Sequence, residues 1–237
     1  MKPEDRLIVA LDVDTEEKAV KLVETLKNDV KFFKVGLELF SSCGPAIVKK
    51  IKETGCEVFL DLKFHDIPNT AAKASRVAAR SGVYIFNVHA LGGYDMMKAA
   101  AEACADEAKK LKIEKPKVLA VTILTSMDEK ALKKTGVDDN MKSEVLRLAR
   151  LAKEAGLDGV VASPKEAKMI RQALGADFLI VTPGVRPASA EVNDQKRVTT
   201  PKEAISSGAD FIVVGRPVTE AKDPVKAVKG ILQEIKI

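Results

Sequence analysis

The sequence has few aromatic side chains. Its 237 residues include no tryptophan and two tyrosines, and aromatic residues make up 4% of the chain. Proteins that bind single-stranded nucleic acid without sequence preference stack the bases on aromatic rings. The composition therefore argues against such a surface, and the lack of a dense run of lysine or arginine argues against a basic nucleic-acid arm.

Cysteine and histidine are also scarce. The three cysteines are far apart with no Cys-x-x-Cys pair, and there are two histidines. An odd number of separated cysteines is typical of reduced thiols in a cytosolic protein. Two histidines cannot build a three-histidine zinc site, and neither His-Glu-x-x-His nor Gly-x-Ser-x-Gly occurs. We therefore expect neither a bound metal nor a serine nucleophile.

Long apolar runs are missing as well. No stretch approaches the ~20 residues of a membrane-spanning helix. The apolar run 7–11 ends at Asp12 and is too short for the core of a signal peptide. We expect a cytoplasmic protein with no membrane partner. The net charge of +5 is compatible with a small anionic substrate.

Short apolar runs alternate with longer amphipathic segments along the whole chain. The predicted strands are residues 7–11, 32–35, 57–62, 84–88, 117–122, 159–162, 178–181 and 211–214. Several are continuously apolar, as expected for parallel strands covered by helices. Eight such units predict an α/β protein with a (β/α)8 barrel, a TIM barrel, as a single domain over residues 1–237. A doubly wound open sheet is the alternative, since periodicity does not prove closure.

Charged side chains fall at the ends of the first three predicted strands. Asp61 and Lys63 are two residues apart, so on a regular strand they point to the same side. Asp12 and Lys34 end the neighbouring strands, and Asp66 adds a further negative charge. Burying charges is costly unless they are paired, and such clusters favour functional sites over structural ones. We expect the alternating charges to converge, although a structural cluster of ion pairs at the rim is the other interpretation.

The loops after the seventh and eighth strands form a second pattern. They contain Pro183-Gly184-Val185-Arg186 and Gly215-Arg216-Pro217. Phosphate sites in this fold commonly lie in these two loops, where glycine allows close approach and guanidinium matches phosphate geometry. We expect a phosphate site there, although each segment alone also fits a tight turn with a surface arginine.

Residues 61–70, Asp-Leu-Lys-Phe-His-Asp-Ile-Pro-Asn-Thr, closely resemble the signature of the orotidine 5′-phosphate decarboxylase family. The resemblance extends over essentially the whole chain. Further similar segments are residues 7–12, 33–36, 87–90, 124–126, 182–186, 194–197 and 213–217. The resemblance implies that the protein converts orotidine 5′-monophosphate to UMP and CO2 in pyrimidine synthesis, without a metal or an organic cofactor.

The resemblance also implies roles for individual catalytic residues. Lys63 is implied as the proton donor and Asp61 as the group against the substrate carboxylate. Lys34 and Asp12 are implied to contact the ribose hydroxyls and to complete the charge network.

The remaining implied roles concern the partner subunit and the rest of the substrate. Asp66 and Thr70 are similar to residues that reach into the partner's site, which implies a homodimer with shared sites. The implied substrate contacts are Thr125 or Ser126 to the pyrimidine, Gln195 between base and phosphate, and Arg186, Gly215 and Arg216 to the phosphate. We interpret His65 as structural and His89 as lining the pocket.

Two other functions remain open at this point. Magnesium-dependent sugar-phosphate aldolases and decarboxylases of the same fold use a similar Asp-x-Lys-x-x-Asp motif, although residues 67–70 and Gln195 favour the pyrimidine enzyme. A non-catalytic barrel that binds a phosphorylated metabolite would keep Gly215 and Arg216 but would have no need for the alternating charges.

Overall fold

Eight parallel strands close into a barrel in the order in which they occur along the chain. The computed structural model describes residues 2–187 and 199–236. The strands are β1 Leu7–Ala10, β2 Phe32–Gly36, β3 Glu57–Phe64, β4 Ile85–His89, β5 Lys117–Val121, β6 Gly159–Val161, β7 Leu179–Thr182 and β8 Phe211–Val214. β1 pairs with both β2 and β8, which closes the sheet. The predicted (β/α)8 barrel is confirmed, and the open sheet is excluded.

Helices follow the strands and surround the barrel. Within the described residues they are α1 Glu16–Leu26, α2 Leu37–Cys43, α3 Ala46–Glu53, α4 Pro68–Arg80, α5 Gly93–Leu111, α6 Glu129–Lys134, α7 Met141–Glu154, α8 Pro164–Leu174, α9 Pro201–Ser206, α10 Arg216–Thr219 and α11 Pro224–Glu234. Short 3-10 helices occupy Pro3–Asp5 and Ala90–Gly92. The prediction of one helix per strand omits α2, α6 and α10.

Local sequence signals explain where several helices begin. Ser163 and Thr200 each precede a helix as N-cap, and each forms a capping box with the glutamate three residues later. A proline at the first position follows in both cases and suits the fixed φ of a helix start. These signals explain why α8 and α9 begin at Pro164 and Pro201.

The apolar residues form two layers. One fills the barrel interior and comprises Ile8, Ala10, Phe32, Phe59, Ile85, Leu119, Val121, Val161, Val181, Phe211 and Val213. The other lies between the barrel and the helices. Because both faces of each strand are covered, strands such as β1 and β8 are buried at every position.

The barrel places the C-terminal ends of all eight strands at one rim. Since the strands are parallel, their C-terminal ends and the loops that follow lie together. Among the described helices, none has the length and apolar character needed to cross a membrane.

Candidate active site

The C-terminal part of β3 leaves the regular ladder. Leu60 pairs with Phe86 and Phe64 pairs with Val88, so four residue steps on β3 match two on β4. This irregularity is a bulge that bends the strand and turns its side chains in new directions. It lies at the rim, where the motif of residues 61–70 begins.

Lys63 lies within this bulge and has a left-handed backbone, with φ of 52°. A lysine in this region carries a steric cost, because the Cβ crowds the carbonyl oxygen. The expectation of regular strand alternation is therefore wrong at Lys63. Its ammonium nevertheless reaches the carboxylate that the sequence suggested, with Lys63 Nζ 2.7 Å from Asp61 Oδ1.

Four charged side chains form an alternating row at the rim. Lys34 Nζ donates to Asp12 Oδ1 at 2.9 Å and lies 3.4 Å from Asp61 Oδ2. Asp61 thus lies between the ammonium groups of Lys34 and Lys63. The side chains of Lys34 and Asp61 are only 11% and 14% exposed, whereas Asp12 is 52% exposed. The row is therefore most shielded from water at its centre, where ion pairing is strongest.

Sequence reasoning missed Asn87, which joins this row from β4. Asn87 is fully buried. Its Oδ1 accepts the backbone N–H of Lys63 at 2.8 Å, and its Nδ2 donates to Asp61 Oδ1 at 2.7 Å. The sequence signal for Asn87 is an amide between the apolar residues Phe86 and Val88 of a predicted buried strand, since a buried amide requires partners.

Asp66 and Thr70 do not join the row. Both are exposed, and Asp66 Oδ1 accepts the N–H of Ile67 at 2.7 Å. Within residues 2–187 and 199–236 of this chain, Asp66 forms no ion pair with Lys63. The expectation that Asp66 converges with the other charges inside one chain is therefore wrong. Thr70 lies in the first turn of α4.

A cavity of about 280 Å³ opens beside the charges. Its lining residues are Asp12, Lys34, Phe59, Asp61, Lys63, Val121, Ile123, Leu124, Thr125, Val161, Pro183, Gly184, Val213 and Gly215. One wall is charged and the floor is apolar, which suits a flat ring with polar substituents.

The remaining candidate residues are not among the described residues that line this cavity. Ser126 is exposed and is not part of the lining. Arg186 is 8% exposed, and its backbone N–H donates to Thr199 O at 3.1 Å. Arg216 is exposed and begins α10 directly after Gly215. Gln195 lies outside the described residues.

The two histidines stack on one another beside the site. The ring centroids of His65 and His89 are 5.3 Å apart, and the planes differ by 17°. His89 Nδ1 accepts the N–H of Leu91 at 3.3 Å. Burial, followed by the nearby charges of His65 and Lys63, lowers the pKa of His89. His89 is not among the cavity-lining residues, so its expected place in the pocket wall is wrong.

The geometry provides a fixed ammonium at the edge of a partly apolar cavity. Such a group stabilises negative charge that develops nearby and has a proton to donate. In the part of the chain that the structure describes, no group of three or more His, Cys, Asp or Glu side chains is arranged to hold a metal ion.

Comparison with known proteins identifies the family. A family model described as "Orotidine 5'-phosphate decarboxylase / HUMPS family" matches residues 5–231. The orotidine 5'-phosphate decarboxylase of Geobacter sulfurreducens is 55% identical over 231 residues, covering 98% of this chain and 96% of that protein. The protein of the same name from Moorella thermoacetica is 52% identical over 238 residues, covering 100% of this chain and 94% of that protein.

A solved structure agrees with these sequence matches. The crystal structure of orotidine 5'-phosphate decarboxylase from Lactobacillus acidophilus has a TM-score of 0.87 and 43% identity, covering 98% of this chain and 100% of that one. Identity at this level over full length reflects common ancestry as well as common fold. The chain therefore belongs to the orotidine 5'-phosphate decarboxylase / HUMPS family.

Proposed function

We propose that this protein is an orotidine 5′-monophosphate decarboxylase, a carboxy-lyase that releases CO2 and forms UMP in pyrimidine biosynthesis. The names of its relatives supply the reaction. The observation that carries the proposal is the Lys63 ammonium, held 2.7 Å from Asp61 at the edge of the cavity. Family membership alone leaves the chemistry of the site open, and this geometry fits decarboxylation.

The proposed chemistry centres on C6 of the pyrimidine. The bond between C6 and the carboxylate breaks, CO2 leaves, and the electron pair remains on C6. Lys63 stabilises this negative charge, donates a proton to C6, and then regains a proton from solvent. Asp61 keeps the ammonium in place, and no bound cofactor enters the reaction. Lys34 on the far side of Asp61 holds that carboxylate from its other oxygen.

The ribose and the base of the substrate are assigned to other residues of the site. We assign the ribose hydroxyls to Asp12, at the exposed end of the charged row, and to its neighbour Lys34. The base then lies over the apolar floor near Thr125, with Ser126 as the neighbouring hydroxyl. This orientation directs the phosphate away from Lys63.

The phosphate end is assigned to the loops after β7 and β8. Pro183 and Gly215 line this side of the cavity, and Arg216 follows Gly215 directly. Arg186 and Gln195 complete the proposed set. Binding energy gained at the phosphate can promote closure and exclusion of water at the reacting carbon.

We also propose a cytoplasmic homodimer with shared sites, folded as one domain. Asp66 and Thr70 are exposed in this chain, as residues that enter a partner's site would be. Next to Asp66, the apolar side chain of Ile67 is 66% exposed. A large exposed apolar side chain at this position suits a protein interface.

The direct test is the absorbance change when purified protein meets orotidine 5′-monophosphate in the presence of EDTA. We expect turnover in the wild type, nearly complete loss in Lys63→Ala with UMP binding retained, and normal turnover in Lys49→Ala, which removes a surface lysine that is 82% exposed. Wild-type turnover in Lys63→Ala would refute the proposal. Activity on a sugar phosphate that requires magnesium would favour the related aldolases and decarboxylases instead.

A test of the phosphate assignment uses Arg216→Ala. We expect a strong fall in kcat/KM, because binding energy is lost at the phosphate end of the substrate. An unchanged kcat/KM would remove Arg216 from the site.

A further inference from the structure

The bulge in β3 requires support that the strand ladder does not provide. Between the paired positions Leu60–Phe86 and Phe64–Val88, three residues of β3 face the single residue Asn87 of β4. We propose that Asn87 is the positioning residue of the site and holds Lys63 and Asp61 in their reactive arrangement through its amide. This inference rests on the proposed function, since it concerns how the proposed proton donor is placed.

The contacts of Asn87 form a closed ring with the two motif residues. Its Oδ1 accepts the Lys63 N–H at 2.8 Å, and its Nδ2 donates to Asp61 Oδ1 at 2.7 Å. The same Asp61 oxygen accepts from Lys63 Nζ at 2.7 Å. The amide orientation is fixed by chemistry, because only its oxygen can accept an N–H and only its nitrogen can donate to a carboxylate.

Each half of the amide has a separate task. The amide oxygen accepts the Lys63 N–H, which in a regular sheet would donate to a backbone carbonyl of the neighbouring strand. Lys63 is also the residue whose φ is 52°. The nitrogen fixes the carboxylate that in turn fixes the ammonium. No other uncharged side chain of this size provides an acceptor and a donor side by side. An apolar residue would leave the Lys63 N–H unpaired, and a carboxylate would face Asp61 with like charge.

A purely structural role would direct these bonds elsewhere. Buried polar residues of the scaffold, such as Ser75 in α4, bond to a carbonyl of their own helix, here Ala71 O at 2.8 Å. The two side-chain hydrogen bonds of Asn87 described above instead end on Asp61 and Lys63. Asn87 itself does not line the cavity, so it acts on the substrate only through these neighbours.

The test compares wild type, Asn87→Ala, Asn87→Asp and the matched control Ser75→Ala, which also removes a fully buried polar group. For Asn87→Ala we expect kcat to fall on the order of 100-fold, as small misplacements of catalytic groups do. KM and the inhibition constant of UMP should change less than about threefold, because the groups that bind substrate remain. Ser75→Ala should keep its kcat.

Asn87→Asp adds a readout that a structural role would not change. The introduced carboxyl faces the Asp61 carboxylate and lies beside Lys63, with Lys34 beyond. Two carboxyl groups in contact share a proton, and the protonated group would accept from Lys63 and donate to Asp61 as the amide does. The activity of Asn87→Asp relative to wild type should therefore rise as the pH is lowered from about 8 to about 6.

The outcomes separate this inference from the proposed function. Unchanged kcat in Asn87→Ala, or an activity ratio of Asn87→Asp that does not depend on pH, overturns the role of Asn87 while Lys63→Ala remains inactive. If the wild type does not decarboxylate the nucleotide, the proposed function fails. A crystal structure then still decides the positioning. Unmoved Lys63 and Asp61 in Asn87→Ala overturn it, as do unmoved Lys63 and Asp61 in Asn87→Asp crystallised at about pH 8 if Asn87→Ala does not fold.

Discussion

The left-handed backbone at Lys63 predicts that the variant Lys63→Gly is more stable than the variant Lys63→Ala. Both substitutions remove the same ammonium and the same ion pair with Asp61. They differ in the Cβ atom, which an L-residue accommodates poorly at a φ of 52°. The comparison therefore isolates the strain of the backbone from the loss of the side chain.

The expected difference follows from two opposing terms. A left-handed conformation costs an L-residue about 1–2 kcal/mol, and glycine loses about 0.5–1 kcal/mol more backbone entropy than alanine on folding. The difference leaves Lys63→Gly about 0.8 kcal/mol more stable than Lys63→Ala. For a protein of this size that corresponds to about 2–3 °C in Tm. Under the proposed function, both variants lack turnover.

Urea denaturation at one pH measures the difference, and two sites on α5 provide the controls. Lys112, at the C-cap, is the other non-glycine residue with positive φ in the described chain, at 55°. Lys112→Gly should exceed Lys112→Ala in stability by a similar amount. Ala105→Gly, at an exposed position inside the helix, should instead lose about 1 kcal/mol. If Lys63→Gly is less stable than Lys63→Ala while both controls behave as expected, the bulge does not impose this backbone in solution.

Three further predictions concern other parts of the structure. Gly36→Ala should stay folded but lower kcat/KM about tenfold, because the new Cβ would lie 2.9 Å from Lys34 Nζ and displace it; unchanged kinetics would contradict this. Burial lowers the pKa of His89, so the unfolded chain takes up that proton first, and the free energy of unfolding should fall as the pH drops below about 6.5. His89→Gln should weaken this dependence, and an identical slope would exclude His89 as its source. Burial raises the pKa of the Cys104 thiol to about 11, so at about pH 8 a thiol reagent should leave Cys104 unmodified in the native protein and react with partly exposed Cys43. Fast labelling of Cys104, measured by mass spectrometry, would contradict its burial.

The eight βα units were predictable from the sequence because their signals are local and repeated. Each apolar run followed by an amphipathic segment predicts one βα unit, and eight units favour a barrel, but the closure itself is seen only in the pairing of β1 with β8. The short helices α2 and α6 were missed for a physical reason. α2 begins at Leu37, directly after β2 ends at Gly36, and α6 is only six residues long, Glu129–Lys134. Helices this short depend on tertiary packing more than on their own periodicity.

The candidate site was predictable where it follows from strand order, and not where it depends on irregular backbone. Asp12, Lys34 and Asp61 lie at or near the C-terminal halves of three neighbouring strands, so strand order alone predicts that they are close together. The left-handed Lys63 and its partner Asn87 depend on a bulge whose length is set by pairing between β3 and β4. Nothing in the local sequence of residues 61–70 predicts that pairing.

The contacts of Asp61 bear on how the proposed reaction gains its rate. If Asp61 acted mainly by repelling the substrate carboxylate, its charge should be poorly compensated. Its oxygens instead face Lys63 and Asn87 at 2.7 Å and Lys34 at 3.4 Å. Three donors around one carboxylate weaken its repulsion of a neighbouring anion. Under the proposed function the ammonium of Lys63 lies near the charge that develops as CO2 leaves, so we expect stabilisation of the carbanion to outweigh destabilisation of the bound substrate.

This argument makes a measurable prediction for Asp61→Asn. The affinity for orotidine 5′-monophosphate relative to UMP should change less than about threefold, because little repulsion is removed. At the same time kcat should fall on the order of 100-fold, because Lys63 loses the anion that holds it. Slow turnover lets KM report substrate binding in the variant, and pre-steady-state binding gives the wild-type value. A shift of about 100-fold in favour of the carboxylated nucleotide would mean that repulsion by Asp61 is the larger effect.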